Sequence, residues 1–247
     1  MSEREIIVLD TAEQLFVRAA EEILHIAGEA ICTHGEFRVC LAGGTTPART
    51  YEMLAKTFRG NIDWKEVQFY WGDERCVPPD DPASNFGMAI RTMLSHLDVK
   101  PAQIHRIKGE LAPSEAAREY EDELRESFGI DPGDVPRFDL MLLGLGENRH
   151  IASLFPGQAS IHEQERLVLA VEVDDPHRDR ITLTPRVINN SARVMFVVSG
   201  EAKAAAVHDV IEGADDPERA PAKIVSPADG VVMWLLDAAA ASRLSKR

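Results

Sequence analysis

The sequence predicts an α/β fold: a mostly parallel sheet with helices on both faces. Three observations carry this. Short apolar runs alternate with helical stretches along the whole chain. Several of those runs, "FDLMLL" (138–143) and "VVMWLLD" (231–237) among them, are apolar on both sides, as in a strand covered above and below. The 247 residues contain no repeat and no low-complexity segment, so the expectation is one domain, 1–247.

The elements follow in order. From Ala12, apolar residues fall at Leu15, Ala19, Ile23, Ile26, Ala27 and Ile31, a helical spacing, and Thr11 stands before them as N-cap. "FRVCLAGG" is a strand ending in glycines. "TPARTYEMLA" is a helix with Pro47 in its first turn, where a missing N–H costs nothing. "VQFYWGDE" reads as one strand. "SNFGMAIRTMLSHL" and "SEAAREYEDELRESF" read as helices, the second capped by Ser114, and "FDLMLLG" as the central strand. "LVLAVEV", "RITL", "RVMFVVSG" and "VVMWLLD" are further strands. "EAKAAAVHDVIEG" is a helix between the last two, and Ala238 to Leu244 forms a short final helix. "KPAQIHRIKGELAP" and "EGADDPERAPAK" read as polar loops.

The formal net charge is −14, which argues against nucleic acid and an anionic membrane as partners, since both require a basic surface. A small anionic ligand stays admissible if cations or backbone N–H groups gather locally. No apolar run reaches the roughly 20 residues that cross a bilayer. The N-terminus "MSEREIIVLDTAEQ" is acidic and lacks a signal core. Cys32, Cys40 and Cys76 are odd in number and have no metal-ligand spacing. These features lead us to expect a cytoplasmic protein with free thiols and no metal.

In an open parallel sheet, ligands collect beyond the C-terminal strand ends, and three such ends carry unusual residues. In "LAGGTTPA" (41–48), Gly43 and Gly44 permit close backbone approach. The Thr45 and Thr46 hydroxyls and the N–H groups of the following helix can hold an anion. It is neither a Walker loop nor GxGxxG, and a plain strand-to-helix turn capped by Thr45 or Thr46 reads equally well. In "YWGDERCVPPDDPASNFG" (70–87), Arg75 can fork to a phosphate, or Asp73, Glu74 and Arg75 form a surface ion-pair cluster. In "GLGENRHIASLFPG" (144–157), a Gly-x-Gly turn delivers His150 where a ligand would lie. Lys203 opens a helix after a strand, as a solvated lysine or as a cation at a strand end. Other motifs fail: "HEQE" at His162 lacks the second histidine of HExxH, "DDPH" (174–177) has no partner at ligand spacing, and Ser153 is not in a GxSxG elbow.

Taken together, "LAGGTTP", "YWGDERCVPPDDPASNFGMA", "FDLMLLGLGENRHIASLFPG", "RITLTPRVINNSARVMFVVSGEAKA" and "PADGVVMWLLDAAAA" resemble the 6-phosphogluconolactonase family, over nearly the whole chain. The resemblance implies a cytoplasmic enzyme of the pentose phosphate pathway with the Rossmann-like α/β fold of glucosamine-6-phosphate deaminase. It implies hydrolysis of 6-phospho-D-glucono-1,5-lactone to 6-phosphogluconate without metal or cofactor, by a monomer or weak homo-oligomer. His150 matches the family's catalytic histidine. Gly43, Gly44 and Thr45 match its phosphate loop, Arg75 and Lys203 its basic residues near the phosphate, and Arg180 is a further substrate-side candidate.

The chain departs from the family's usual Asp-Gly-His at Asn148 and Arg149. Asn148 is then the candidate orienter of His150, able to hydrogen-bond but without charge. Arg149 replaces a residue free to adopt positive φ. Its side chain is expected at the pocket rim in solvent, and the competing reading makes it a phosphate ligand. Two rivals to lactone hydrolysis stay open. One is glucosamine-6-phosphate deamination, against which Phe155 stands where the deaminase has a proton-transferring glutamate. The other is a sugar-phosphate-binding homologue weakened in catalysis by Asn148 and Arg149.

Overall fold

The structure, a computed structural model, describes residues 3–245. Seven strands form one fully parallel sheet: β1 (Glu3–Leu9), β2 (Phe37–Leu41), β3 (Val67–Trp71), β5 (Ile104–His105), β6 (Leu140–Leu143), β9 (Arg193–Val198) and β10 (Val231–Asp237). Their spatial order is β1-β10-β9-β6-β2-β3-β5. Around it lie α1 (Ala12–His34), α2 (Thr45–Lys56), α3 (Asn85–Thr92), α4 (Pro113–Phe128), the single turn α5 (Pro185–Ile188) and α6 (Ala204–Ile211). A second, antiparallel sheet holds β4 (Asp73–Arg75), β8 (Asp179–Leu183) and β7 (Val168–Glu172), in the order β4-β8-β7.

The local rules account for most of this. Thr11 caps α1 in a capping box with Gln14, and Gly35 ends that helix at φ 88. The inward stripe Leu15, Ala19, Ile23, Ile26 and Ala27 is buried, as its spacing predicts. β6 is buried at every position, and Phe196 of β9 stacks on Trp234 of β10 at 3.8 Å. Burying each such side chain contributes about 1.5–3 kcal/mol, so the centre of the sheet is the best-anchored part of the molecule.

Four expectations are corrected. "VQFYWGDE" is not one strand. It breaks at Gly72, whose N–H still donates to Leu41 of β2 (3.0 Å) while its carbonyl accepts from Leu183 (2.9 Å), so the chain leaves one sheet for the other there. "LVLAVEV" and "RITL" are strands as expected; they pair antiparallel with each other, and β8 alone pairs with β4. α4 is capped at Ala112, with Pro113 in the first position, so Ser114 is inside the helix. Residues 238–244 form successive turns rather than a helix, closed by Ala241 N–H to Asp237, Ser242 to Ala239 and Leu244 to Ala241. Two strands were passed over. β1 is an edge strand whose short apolar run, Ile6 to Leu9, follows the acidic start of the chain, and β5 is two residues inside "KPAQIHRIKGELAP".

Strand order places the functional region. From β2 the chain builds outward through β3 and β5; from β6 it builds the other way through β9 and β10. The switch point is the β2–β6 boundary, where the loops diverge and leave a crevice.

Candidate functional site

A cleft of about 220 Å³ opens at that boundary. His150, Gly43, Gly44, Thr45, Arg75, Arg180 and Lys203 all line it, with Asp73, Asn85 and Ser199. Asn148 is outside the lining and touches it only through His150.

The floor is the β2–α2 turn. The Tyr51 hydroxyl donates to the Ala42 carbonyl and accepts its N–H, both at 2.9 Å, which pins the end of the strand. Gly44, at φ 104, is the N-cap of α2 and supplies no side-chain cap, so Thr45 and Thr46 are helical residues rather than caps. The first N–H groups of α2 thus stay available beside the cleft, with the positive end of the helix dipole. Gly43 is dictated by contact: a Cβ there would lie 1.9 Å from Asn85 Oδ1.

The second sheet supplies the charge. Register puts Arg75 of β4 directly opposite Arg180 of β8. Like charges facing each other across a strand pair repel, so this arrangement favours an anion between or beside them. Arg180 is nearly buried, its Nη2 2.6 Å from Asp175 Oδ1 and its Nε donating to the His177 carbonyl at 2.6 Å. Arg75 is less satisfied. Nη1 donates to the Ala83 carbonyl at 2.5 Å, but Nε is buried without a hydrogen-bond partner among the described residues. Such a donor costs free energy until an acceptor meets it.

Asp73, Asn85 and Ser153 were not among the site residues read from sequence. Asp73 accepts Ser153 Oγ–H at 2.7 Å and lies 3.3 Å from Asn85 Nδ2; Ser153 N–H in turn donates to Thr182 Oγ1 at 3.2 Å. Glu74 faces the other way. Its carboxylate accepts from the N–H groups of Arg75, Asn85 and Phe86 and from Ser84 Oγ, which holds the start of α3. Burial nevertheless raises its pKa, against those bonds. Neither surface ion pairs nor a phosphate fork describes the whole "GDER" segment: alternate residues serve different sheet faces.

The turn after β6 delivers the imidazole. Gly146 N–H donates to the His150 carbonyl (2.9 Å), and Arg149 N–H to the Gly146 carbonyl (2.9 Å). Asn148 Oδ1 is 2.5 Å from His150 Nδ1. A carboxamide oxygen only accepts, so Nδ1 carries the proton and Nε2 keeps its lone pair. The ring stacks on Phe155 at 4.2 Å. Burial pushes the His150 pKa down to about 4; Asp73 and Asp175 oppose this, and Arg180 and Lys203 reinforce it. The imidazole is therefore neutral at pH 7.

Lys203 closes the cleft from the start of α6, its Nζ 4.0 Å from Glu147 Oε1. Arg149 has φ 69, the left-handed conformation a glycine would adopt freely. Its side chain is half-exposed and does not line the cleft. It donates through Nε, at 3.0 Å, and through Nη2 to Asp209 Oδ2 on α6. Among the described residues, no group of three or more His, Cys, Asp or Glu side chains is placed to hold a metal ion, and no helix is long and apolar enough to cross a membrane.

Comparison with known proteins agrees with the fold. A chain from Nostoc sp. named 6-phosphogluconolactonase is 36% identical over 239 residues, covering 96% of this chain and 97% of that one. A solved structure of 6-phosphogluconolactonase from Trypanosoma cruzi superposes with a TM-score of 0.87 at 27% identity, covering 99% of this chain and 98% of that one. A monomeric glucosamine-6-phosphate deaminase, 24% identical, has the same fold, with a TM-score of 0.80 over 96% of this chain and 99% of its own. The family model described as glucosamine-6-phosphate isomerases/6-phosphogluconolactonase matches residues 10–234. With the strand-end histidine and the two facing arginines inside the matched span, the chain belongs to the glucosamine-6-phosphate isomerase/6-phosphogluconolactonase family.

Proposed function

We propose that this chain hydrolyses 6-phospho-D-glucono-1,5-lactone to 6-phospho-D-gluconate, a step of the oxidative pentose phosphate pathway, with His150 as general base and then general acid. The observation that carries the proposal is a neutral, tautomer-fixed imidazole sharing one cleft with two facing arginines and a free helix N-terminus. The names of the relatives at 33–36% identity point to the same reaction.

The phosphate does not react. It rests against Arg75, Arg180, Lys203 and the N–H groups of Gly43 to Thr45, and so brings the lactone carbonyl to His150. Charge-assisted contacts of this kind explain how a chain of net charge −14 takes an anion. Water then attacks the carbonyl carbon while His150 Nε2 removes its proton. The tetrahedral intermediate re-forms the carbonyl and breaks its bond to the ring oxygen, which takes the same proton back from Nε2. Asn148 Oδ1 accepts the hydrogen bond from Nδ1–H throughout and keeps the ring oriented.

The deaminase shares the fold, but one contact stands against that reading. Phe155 stacks on His150 where proton transfer in ring opening would need an acid or base. The test is a lactonase assay on freshly generated 6-phosphogluconolactone, corrected for spontaneous hydrolysis. His150→Ala is expected to lose about 10²–10⁴-fold in kcat while still binding 6-phosphogluconate. A variant keeping more than half of the wild-type kcat, or a wild-type protein that binds product without accelerating hydrolysis, overturns the assignment.

A further inference from the structure

We infer that Arg149 and Asp209 form a positioning pair, by which α6 holds the left-handed turn that presents His150 to the cleft. The inference rests on the proposed role of His150 and goes beyond it, to what keeps the imidazole in place.

His150 sits in a turn that its residue types do not favour. Arg149 precedes it at φ 69 and Ala152 follows at φ 45, and neither is glycine. Left-handed backbone at side-chain-bearing residues persists only where the surroundings impose it. Two contacts do so here, both at Arg149. Its guanidinium is bound through Nε and Nη2 by Asp209 of α6, and its carbonyl accepts the Ala222 N–H at 3.1 Å. These anchors belong to one unit. Lys223, next to Ala222, donates through Nζ to the carbonyls of Val210 (2.9 Å) and Gly213 (3.1 Å), tying that segment to the end of α6. The same helix begins beside Lys203, which lines the cleft. One body thus sets both the imidazole turn and a cation of the proposed phosphate site. The Arg149 hydrogen bond is the leading cause holding Asp209 below the usual carboxylate range.

A glycine at 149 would need no clamp, and this makes the inference testable by epistasis. The variants are Asp209→Ala, Arg149→Gly and both together; Asp209→Asn, which keeps the volume and removes the charge, replaces Asp209→Ala if that variant does not fold. Four quantities are read: kcat and KM on 6-phosphogluconolactone, the thermal midpoint, and the NMR titration of the His150 ring, its signal assigned by its loss in His150→Ala. The groups facing that ring are Asp73, Asp175, Arg180 and Lys203, with Asn148 and Phe155 in contact, and all are kept in these variants.

Asp209→Ala is expected to lower kcat about fivefold with KM within twofold, since an exposed pair of this kind biases a local equilibrium by no more than roughly that factor. The His150 midpoint should rise toward 6.5 as the freed ring gains water. Adding Arg149→Gly should restore both. An Asp209→Ala protein with unchanged kcat and His150 titration, or a double variant as impaired as the single one, overturns the pair as a positioning device. A lower thermal midpoint with neither change reduces it to a stabilising contact and also overturns the inference. If the wild type proves not to be a lactonase, the titration arm still decides whether the clamp exists.

Discussion

Replacing Gly146 with alanine should disable His150 without disturbing the fold. Gly146 does not have positive φ, so alanine is acceptable to the backbone there. The difficulty is space. A Cβ would stand 2.1 Å from His150 Nδ1, 2.3 Å from Cε1 and 2.8 Å from Asn148 Oδ1. Ordinary contact begins near 3.5 Å, so the ring must retreat by about 1.4 Å. Two constraints resist that movement: the stack on Phe155 at 4.2 Å and the 2.5 Å bond from Nδ1 to Asn148. If the ring gives way, it leaves its attack position, and a displacement of about 1 Å costs on the order of a hundredfold in rate. That corresponds to about 2.7 kcal/mol of transition-state stabilisation. The phosphate contacts proposed for Arg75, Arg180 and the Gly43–Thr45 turn come from other elements, so KM and product affinity should stay within about threefold. The assay is stopped-flow acid release on fresh lactone, less the spontaneous rate, with calorimetric binding of 6-phosphogluconate and a thermal melt. A Gly146→Ala protein that melts normally and keeps more than a third of the wild-type kcat would refute the reasoning, because the ring would then have tolerated the displacement.

Three further outcomes are expected. The His150 pKa lies near 4, below its unfolded value of about 6.5, so the base form persists as pH falls. Enzyme-catalysed kcat at saturating lactone should be flat from pH 7 to about 5 and fall below about pH 4; a midpoint at about 6.5 in that kcat profile would show a solvated imidazole. The sign for folding is opposite in consequence: between about 6.5 and 4 the unfolded chain binds the proton that native His150 refuses, so this residue withdraws stability across that window, measurable by denaturant melts of wild type and His150→Ala. Arg75→Ala should weaken 6-phosphogluconolactone about ten- to a hundredfold and plain gluconolactone less than twofold, since its partnerless Nε awaits an acceptor; equal losses on both, in steady-state kinetics, would remove it from the phosphate site. Gly28→Ala, inside α1 with nothing within 4 Å of the new methyl, should add about 0.5–1 kcal/mol and raise Tm by about 2–4 °C with activity unchanged; a lower Tm by calorimetry would contradict it.

The elements that were legible in the chain are those whose cause is local. The stripe of α1 and its Thr11 cap lie within a few residues of one another, and β6 and β10 announce themselves by unbroken apolar runs. The same holds for His150 on a glycine turn at a strand end and for the Gly43–Gly44 turn, which all came together in one cleft with Arg75, Arg180 and Lys203. The apolar run of β1 is only four residues long, Ile6 to Leu9, too short to set a strand apart from the start of the helix that follows, and the composition of residues 238–244 does not distinguish successive turns from a helix.

What the sequence determined by itself is therefore the strand–helix alternation, the parallel sheet and the identity of the strand-end residues. The tertiary structure alone decided who faces whom. That Gly72 hands the chain to a second sheet, that Arg75 stands opposite Arg180, and that Arg149 turns away from the cleft to Asp209 all depend on partners distant in the chain. Periodicity and caps are written in neighbours a turn apart, whereas strand register and the pairing of charges exist only once the two sheets have docked and excluded water from between them.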